Sequence, residues 1–73
     1  MASMEQTIES LRQAITVSPE NLPLRQLLAE TLLGAARYDE AEREFRQALA
    51  MAPRDEGIKL GLARVYFQQD KNS

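Results

Sequence analysis

The feature that most restricts this chain is its match to itself at a displacement of 34 residues. Arg12-Gln13-Ala14 returns as Arg46-Gln47-Ala48, Pro19 as Pro53, and Leu28-Ala29 as Leu62-Ala63. The apolar pattern keeps the same displacement: Leu11 with Phe45, Ile15 with Leu49, Val17 with Met51, Leu24 with Ile58, Leu32 with Tyr66 and Leu33 with Phe67. A fixed period of this length, built from two helices and a turn, is the mark of a helical solenoid, in which each unit buries its apolar face on the next. Seventy-three residues make at most one domain, and a helical core this thin nets only about 3–5 kcal/mol.

The most legible helix spans residues 38–53, YDEAEREFRQALAMAP. Ala41, Phe45, Ala48, Leu49 and Ala52 recur at three- and four-residue steps and so share one stripe. The alanines let another helix come close, and the Phe45 ring fills the gap between them. Asp39 and Glu40 suit the positive end of the helix dipole, Asp39 with Arg43 and Glu42 with Arg46 are acid-first pairs four apart, and Pro53 ends the run.

Upstream, Ile8, Leu11, Ala14, Ile15 and Val17 follow helical steps from Met4, Ser3 with Gln6 fits a capping box, and Pro19 closes the helix. Met1-Ala2-Ser3 reads as an expression scar before a natural start at Met4. Asn21 is the expected N-cap of a second helix, with Pro23 in its first turn. Leu24, Leu27, Leu28, Ala29, Leu32 and Leu33 make a band wide enough for two neighbours, which makes this the best-buried segment. Gly34-Ala35-Ala36-Arg37 turns the chain into the helix already described. A fourth helix, preceded by Arg54 or Asp55, carries Ile58, Leu62, Ala63, Val65 and Tyr66 to about Gln69. Gly61 within it is either a local weakness or the mark of a neighbouring backbone close by.

Composition removes several functions. With no cysteine and no histidine, there is no disulfide, no thiolate or imidazole metal site, and no base that titrates near neutral pH. Nine basic and eleven acidic residues are interspersed at a net charge of −2, which is no footprint for nucleic acid or anionic lipid. No apolar run approaches the ~20 residues of a membrane span, and Glu5 and Glu9 interrupt any signal-peptide core, so a cytoplasmic location is expected. Asp39, Glu40, Glu42 and Glu44 read as a solvated helix face, Ser10 and Ser18 lack a base, and no phosphate or calcium loop is present. Neither an enzyme, a cofactor, a metal nor a small-molecule substrate is expected.

Residues 22–55 resemble one unit of the tetratricopeptide repeat. Leu28, Ala29 and Leu32 stand at the signature of its first helix, and Tyr38, Ala41, Phe45, Ala48 and Pro53 at that of its second. The chain departs at Arg25, where the family often has an aromatic, and at Ala29, where it often has glycine. Residues 4–19 resemble the second helix of a preceding unit and 56–69 the first helix of a following one, leaving 70–73 as a tail. The resemblance implies an all-α fold, a right-handed α-α superhelix of four antiparallel helices. It also implies an excised piece whose fourth helix has lost its cover, leaving Val65, Tyr66 or Phe67 exposed and the chain prone to weak self-association.

The resemblance further implies a concave groove lined by the first helix of each unit. Gln26, Glu30 and Leu33 on one helix would face Leu60, Arg64 and Phe67 on the other, with Glu30 and Arg64 positioned to pair across it. Such an exposed pair contributes only about 0–1 kcal/mol; alternatively Arg64, flanked by Leu60 and Phe67, anchors a peptide with an acidic and an apolar side chain. Grip on a chaperone's C-terminal carboxylate, as in the best-known subgroup, is not expected: Gln26 and Glu30 replace lysine and asparagine, and Gly57 and Gly61 occupy two further clamp positions. The expected function is non-catalytic binding of a protein or peptide segment, as part of a larger protein. A structural scaffold within a longer solenoid and a homodimerising helical module are the alternatives.

Overall fold

The computed structural model describes residues 3–71, the Lys71 side chain excepted. Met1 and Ala2 of the expected scar, and Asn72 and Ser73 of the expected tail, lie outside those residues. Four helices follow one another: α1 (Met4–Val17), α2 (Leu22–Gly34), α3 (Tyr38–Met51) and α4 (Glu56–Lys71). Among the described residues there is no strand. α4 continues past the expected end at Gln69, because Asp70 and Lys71 are polar but neither breaks a helix as glycine or proline does.

Local chemistry sets most helix ends. Gln6 N donates to Ser3 Oγ and Ser3 N to Gln6 Oε1, both at 3.1 Å, completing the capping box. Asn21 Oδ1 accepts from Leu24 N at 3.0 Å, with Pro23 in the first turn. At α4 the cap is Asp55, whose Oδ1 accepts from Ile58 N at 3.0 Å; Arg54 has no side-chain acceptor to offer the amide.

The repeat extends to the turns. Ser18 and Ala52, one displacement apart, close α1 and α3 with φ/ψ of −130°/70° and −142°/76°. In both turns an amide reaches back three residues at 3.1 Å, Asn21 N to Ser18 O and Asp55 N to Ala52 O. The α2–α3 connection is a Schellman motif: Arg37 N donates to Leu32 O at 2.9 Å and Ala36 N to Leu33 O at 3.0 Å. Ala36 therefore takes φ 60°, a left-handed conformation that usually falls to glycine.

α2 is the central element: it packs on α1 and α3 and, at a few points, on α4, while α3 also packs on α4. The Cα envelope is a slab of 32 × 31 × 15 Å, and a thickness of 15 Å fits two layers of helices with axes roughly 10 Å apart. The buried core is Ile8 and Ile15 of α1, Leu28, Ala29 and Leu32 of α2, Ala41, Phe45 and Ala48 of α3, and Ile58 and Val65 of α4. Leu49 and Ala52 continue the α3 stripe, half-buried.

Four expectations are corrected by the packing. Val17 is 83% exposed, since two residues beyond Ile15 it has turned about 200° away from α2. Leu27, a further 100° round from Leu28, is half exposed, because the α2 band is wider than its neighbours cover. Ala63, expected on the apolar stripe of α4, is exposed, and of Val65, Tyr66 and Phe67 it is Tyr66 and Phe67 that the fourth helix leaves open, at 41% and 65% exposed. Of the two acid-first pairs only Glu42 with Arg46 forms, at 2.9 Å; Asp39 Oδ1 instead accepts from Gln69 Nε2 of α4 at 3.2 Å.

Two positions show why particular residues are there. Gly61 is buried, and a Cβ on it would come within 2.6 Å of Phe45 Cζ. The close neighbour is thus the ring of α3, not a backbone. Arg25, which departs from the family pattern, has an 11% exposed side chain. Its Nη1 donates to Glu44 Oε1 at 2.9 Å and Gln47 Oε1 at 2.7 Å, and its Nη2 to Pro19 O at 3.3 Å, tying α2 to α3 and to the preceding turn.

Candidate functional site

The two layers leave α2 and α4 side by side, and a groove of about 500 Å³ opens between them. Leu33 of α2, Tyr38 of α3, and Ala63, Arg64, Phe67 and Gln68 of α4 line it. Leu33, Arg64 and Phe67 of the expected site residues are thereby brought together. Leu33 comes to the groove from the last turn of α2 and Tyr38 from the first of α3, across the Schellman turn. Phe67 is 65% exposed, and Arg64 is exposed with no ion pair among the described residues. A large apolar ring beside an unneutralised guanidinium is a surface suited to a ligand carrying an apolar and an acidic group.

Gln26, Glu30 and Leu60 do not line this cavity. Gln26 and Leu60 each sit seven residues before a lining residue, about 10 Å along their helices, with Gln26 half-buried and Leu60 exposed. They extend the same two stripes beyond the groove floor. Glu30 and Arg64 form no ion pair with each other. Both are exposed, where so small a Coulombic gain does not offset the cost of fixing two long side chains.

Tyr38, Ala63 and Gln68 are lining residues that the helical stripes missed. Tyr38 belongs to the repeat signature, and its place at the start of α3, directly after the tight turn, brings it to the groove. Ala63 and Gln68 flank the Arg64–Phe67 stripe by one residue, and only the relative rotation of α4 decides that they reach the opening.

A larger depression of about 830 Å³ runs along the start of α3 to α4, lined by Arg37, Asp39, Glu40, Glu42 and Gln69 among others. Its carboxylates already have partners. Gln69 Nε2 donates to Asp39 Oδ1 and Glu42 Oε1, both at 3.2 Å, and Arg46 Nε donates to Glu42 Oε2 at 2.9 Å. Glu40 is held by Arg37, which also reaches Glu5 of α1 at 2.9 Å, and lies 3.5 Å from Arg12. The hydrogen bond from Arg37, with the charges of Arg37, Arg12 and Arg43, holds the Glu40 carboxyl below the usual range against its partial desolvation. Glu44 is occupied by Arg25. These acids hold helices together rather than presenting a free pair for proton transfer.

Among the described residues no cluster of side chains could hold a metal ion, and no helix is long and apolar enough to cross a membrane. Stacked helical hairpins with a 34-residue period and an open groove on one layer define a helical-repeat protein. The family model of the tetratricopeptide repeat matches residues 3–45 and 32–73, two overlapping spans that together take in almost the entire chain. The chain belongs to the tetratricopeptide repeat family, whose members generally act as protein–protein interaction modules. Comparison with curated proteins and with solved structures gave no match.

Proposed function

We infer that the chain is a non-catalytic binding module that takes a peptide or protein segment in the α2–α4 groove. The observation that supports this most is the exposed Phe67 ring next to an unpaired Arg64 at the mouth of an otherwise preformed apolar cleft. Phe67 and Leu33 supply apolar contact area, Arg64 selects an acidic group on the ligand, and Tyr38 closes one end. The four helices are held by a shared core, so the groove pays little ordering cost when it is filled. Gln26, Glu30 and Leu60 extend the contact along the two stripes for a ligand longer than the cavity.

Selection from a displayed peptide library tests this. Peptides pairing an apolar with an acidic side chain are expected to bind the wild type, to lose at least tenfold affinity for Arg64→Glu, and to lose a similar amount for Phe67→Ala. Helicity by circular dichroism should be unchanged in both variants, because both side chains are exposed. Selected peptides that bind the two variants as well as the wild type would sink the reading.

A further inference from the structure

In the complete unit, α2 and α3 bury a seam made of Leu28, Ala29 and Leu32 on one side and Ala41, Phe45 and Ala48 on the other. All six are at most 1% exposed. One displacement on, α4 carries Leu62, Ala63 and Tyr66 at the equivalent positions, half-buried or exposed; one displacement back, α1 carries Thr7, Leu11 and Ala14, again half-buried or exposed. Each end of the four-helix stack thus bears one half of the seam without the other. We propose that the two halves meet between copies, α1 of a second chain seating on the outer face of α4 as α3 seats on α2.

The side chains fit this assignment. The closed seam holds two leucines, three alanines and a phenylalanine; the divided one holds two leucines, two alanines, a threonine and a tyrosine. The aromatic ring has moved from the second-type helix to the first, with leucine taking the reciprocal place, which nearly conserves volume across the contact. Neither hydroxyl is stranded by burial. Thr7 Oγ1 donates to Ser3 O at 3.2 Å, and Tyr66 Oη accepts from Arg46 Nη2 at 2.6 Å. At the rim, Lys59 stands where Arg25 does, and Gln13 and Ser10 stand where Gln47 and Glu44 do, so Lys59 can donate to Gln13 as Arg25 donates to Gln47, while the ion pair from Arg25 to Glu44 has no counterpart.

The contact is heterologous, since it joins two different faces, and it does not close on itself. A symmetric α4–α4 contact would leave the outer face of α1 uncovered; the head-to-tail contact covers both faces at once. It is centred on the side of α4 about 100° from Phe67 and further from Arg64, and of the residues that line the groove it shares only Ala63.

Sedimentation of the chain across a concentration series, with Thr7→Glu and Ala63→Glu, decides the matter. The wild-type mass is expected to rise reversibly from 8.3 kDa past twice that value. Each variant alone should remain at the single-chain mass, its helicity intact because both positions are exposed. An equimolar mixture of the two should form one capped pair at twice the mass and nothing larger, since each supplies the face the other has lost. A wild type that stays monomeric throughout, a Thr7→Glu chain that still associates, or a mixture that stays monomeric would overturn the proposal.

Discussion

Gly61 and Phe45 are the two residues whose fit most narrowly determines the α3–α4 packing. Alanine favours a helix over glycine by about 1 kcal/mol, yet Gly61→Ala places a methyl group inside the Phe45 ring. Overpacking of this kind costs about 1–3 kcal/mol, so the variant is expected to unfold at lower denaturant. Phe45→Leu in the same chain should recover part of that loss, with a coupling of at least about 0.5 kcal/mol in a double-mutant cycle. Strict additivity would contradict the contact. Ala36 offers the opposite case: at φ 60° its Cβ is unfavourable, and Ala36→Gly is expected to stabilise by about 0.5–1 kcal/mol in thermal unfolding. At this scale the sequence was ambiguous. Gly61 is a lone glycine in a helical run, and its reason lies in a ring sixteen residues earlier, which no local pattern displays.

The helices themselves were far easier to read, because caps and breakers act within four residues. Ser3 with Gln6, Asn21, Pro23, Pro19 and Pro53 all do in space what their local chemistry dictates. The exceptions, Val17, Leu27 and Ala63, all turned outward, are set by which neighbour each face meets, and period alone does not fix that. How the elements are joined also yields a pH dependence. Arg37, at the N-cap position just before α3, ties Glu40 to Glu5 of α1. Because the folded Glu40 carboxyl titrates below its ordinary range, the unfolded chain binds more protons in acid. Its contribution is therefore present above the ordinary carboxylate range, about pH 4.5, and is lost as pH falls through the folded value. Glu40→Gln should lower Tm at pH 7 and flatten the fall in Tm as pH drops below about 4.5. An acid slope equal to that of the wild type would show that the network contributes nothing.

For the whole molecule, the 34-residue period carried the architecture: it placed α2 and α4 in one layer and made Leu33 and Phe67 equivalent neighbours. It also suggested that Glu30 and Arg64, equivalent in the same way, would pair; equivalence fixes position on a helix but not the reach or the preference of exposed side chains. Three of the six expected groove residues meet in one cavity, and Tyr38 joins them from α3. Arg64, left without a partner, gives the groove its polarity, and with Phe67 it forms the most direct claim of this account. Amide chemical-shift mapping with a peptide obtained by the selection above tests that claim. The account predicts perturbations concentrated at Leu33, Tyr38, Ala63, Arg64, Phe67 and Gln68. Perturbations centred instead on Arg12, Glu40 and Arg43, on the opposite layer, would contradict it.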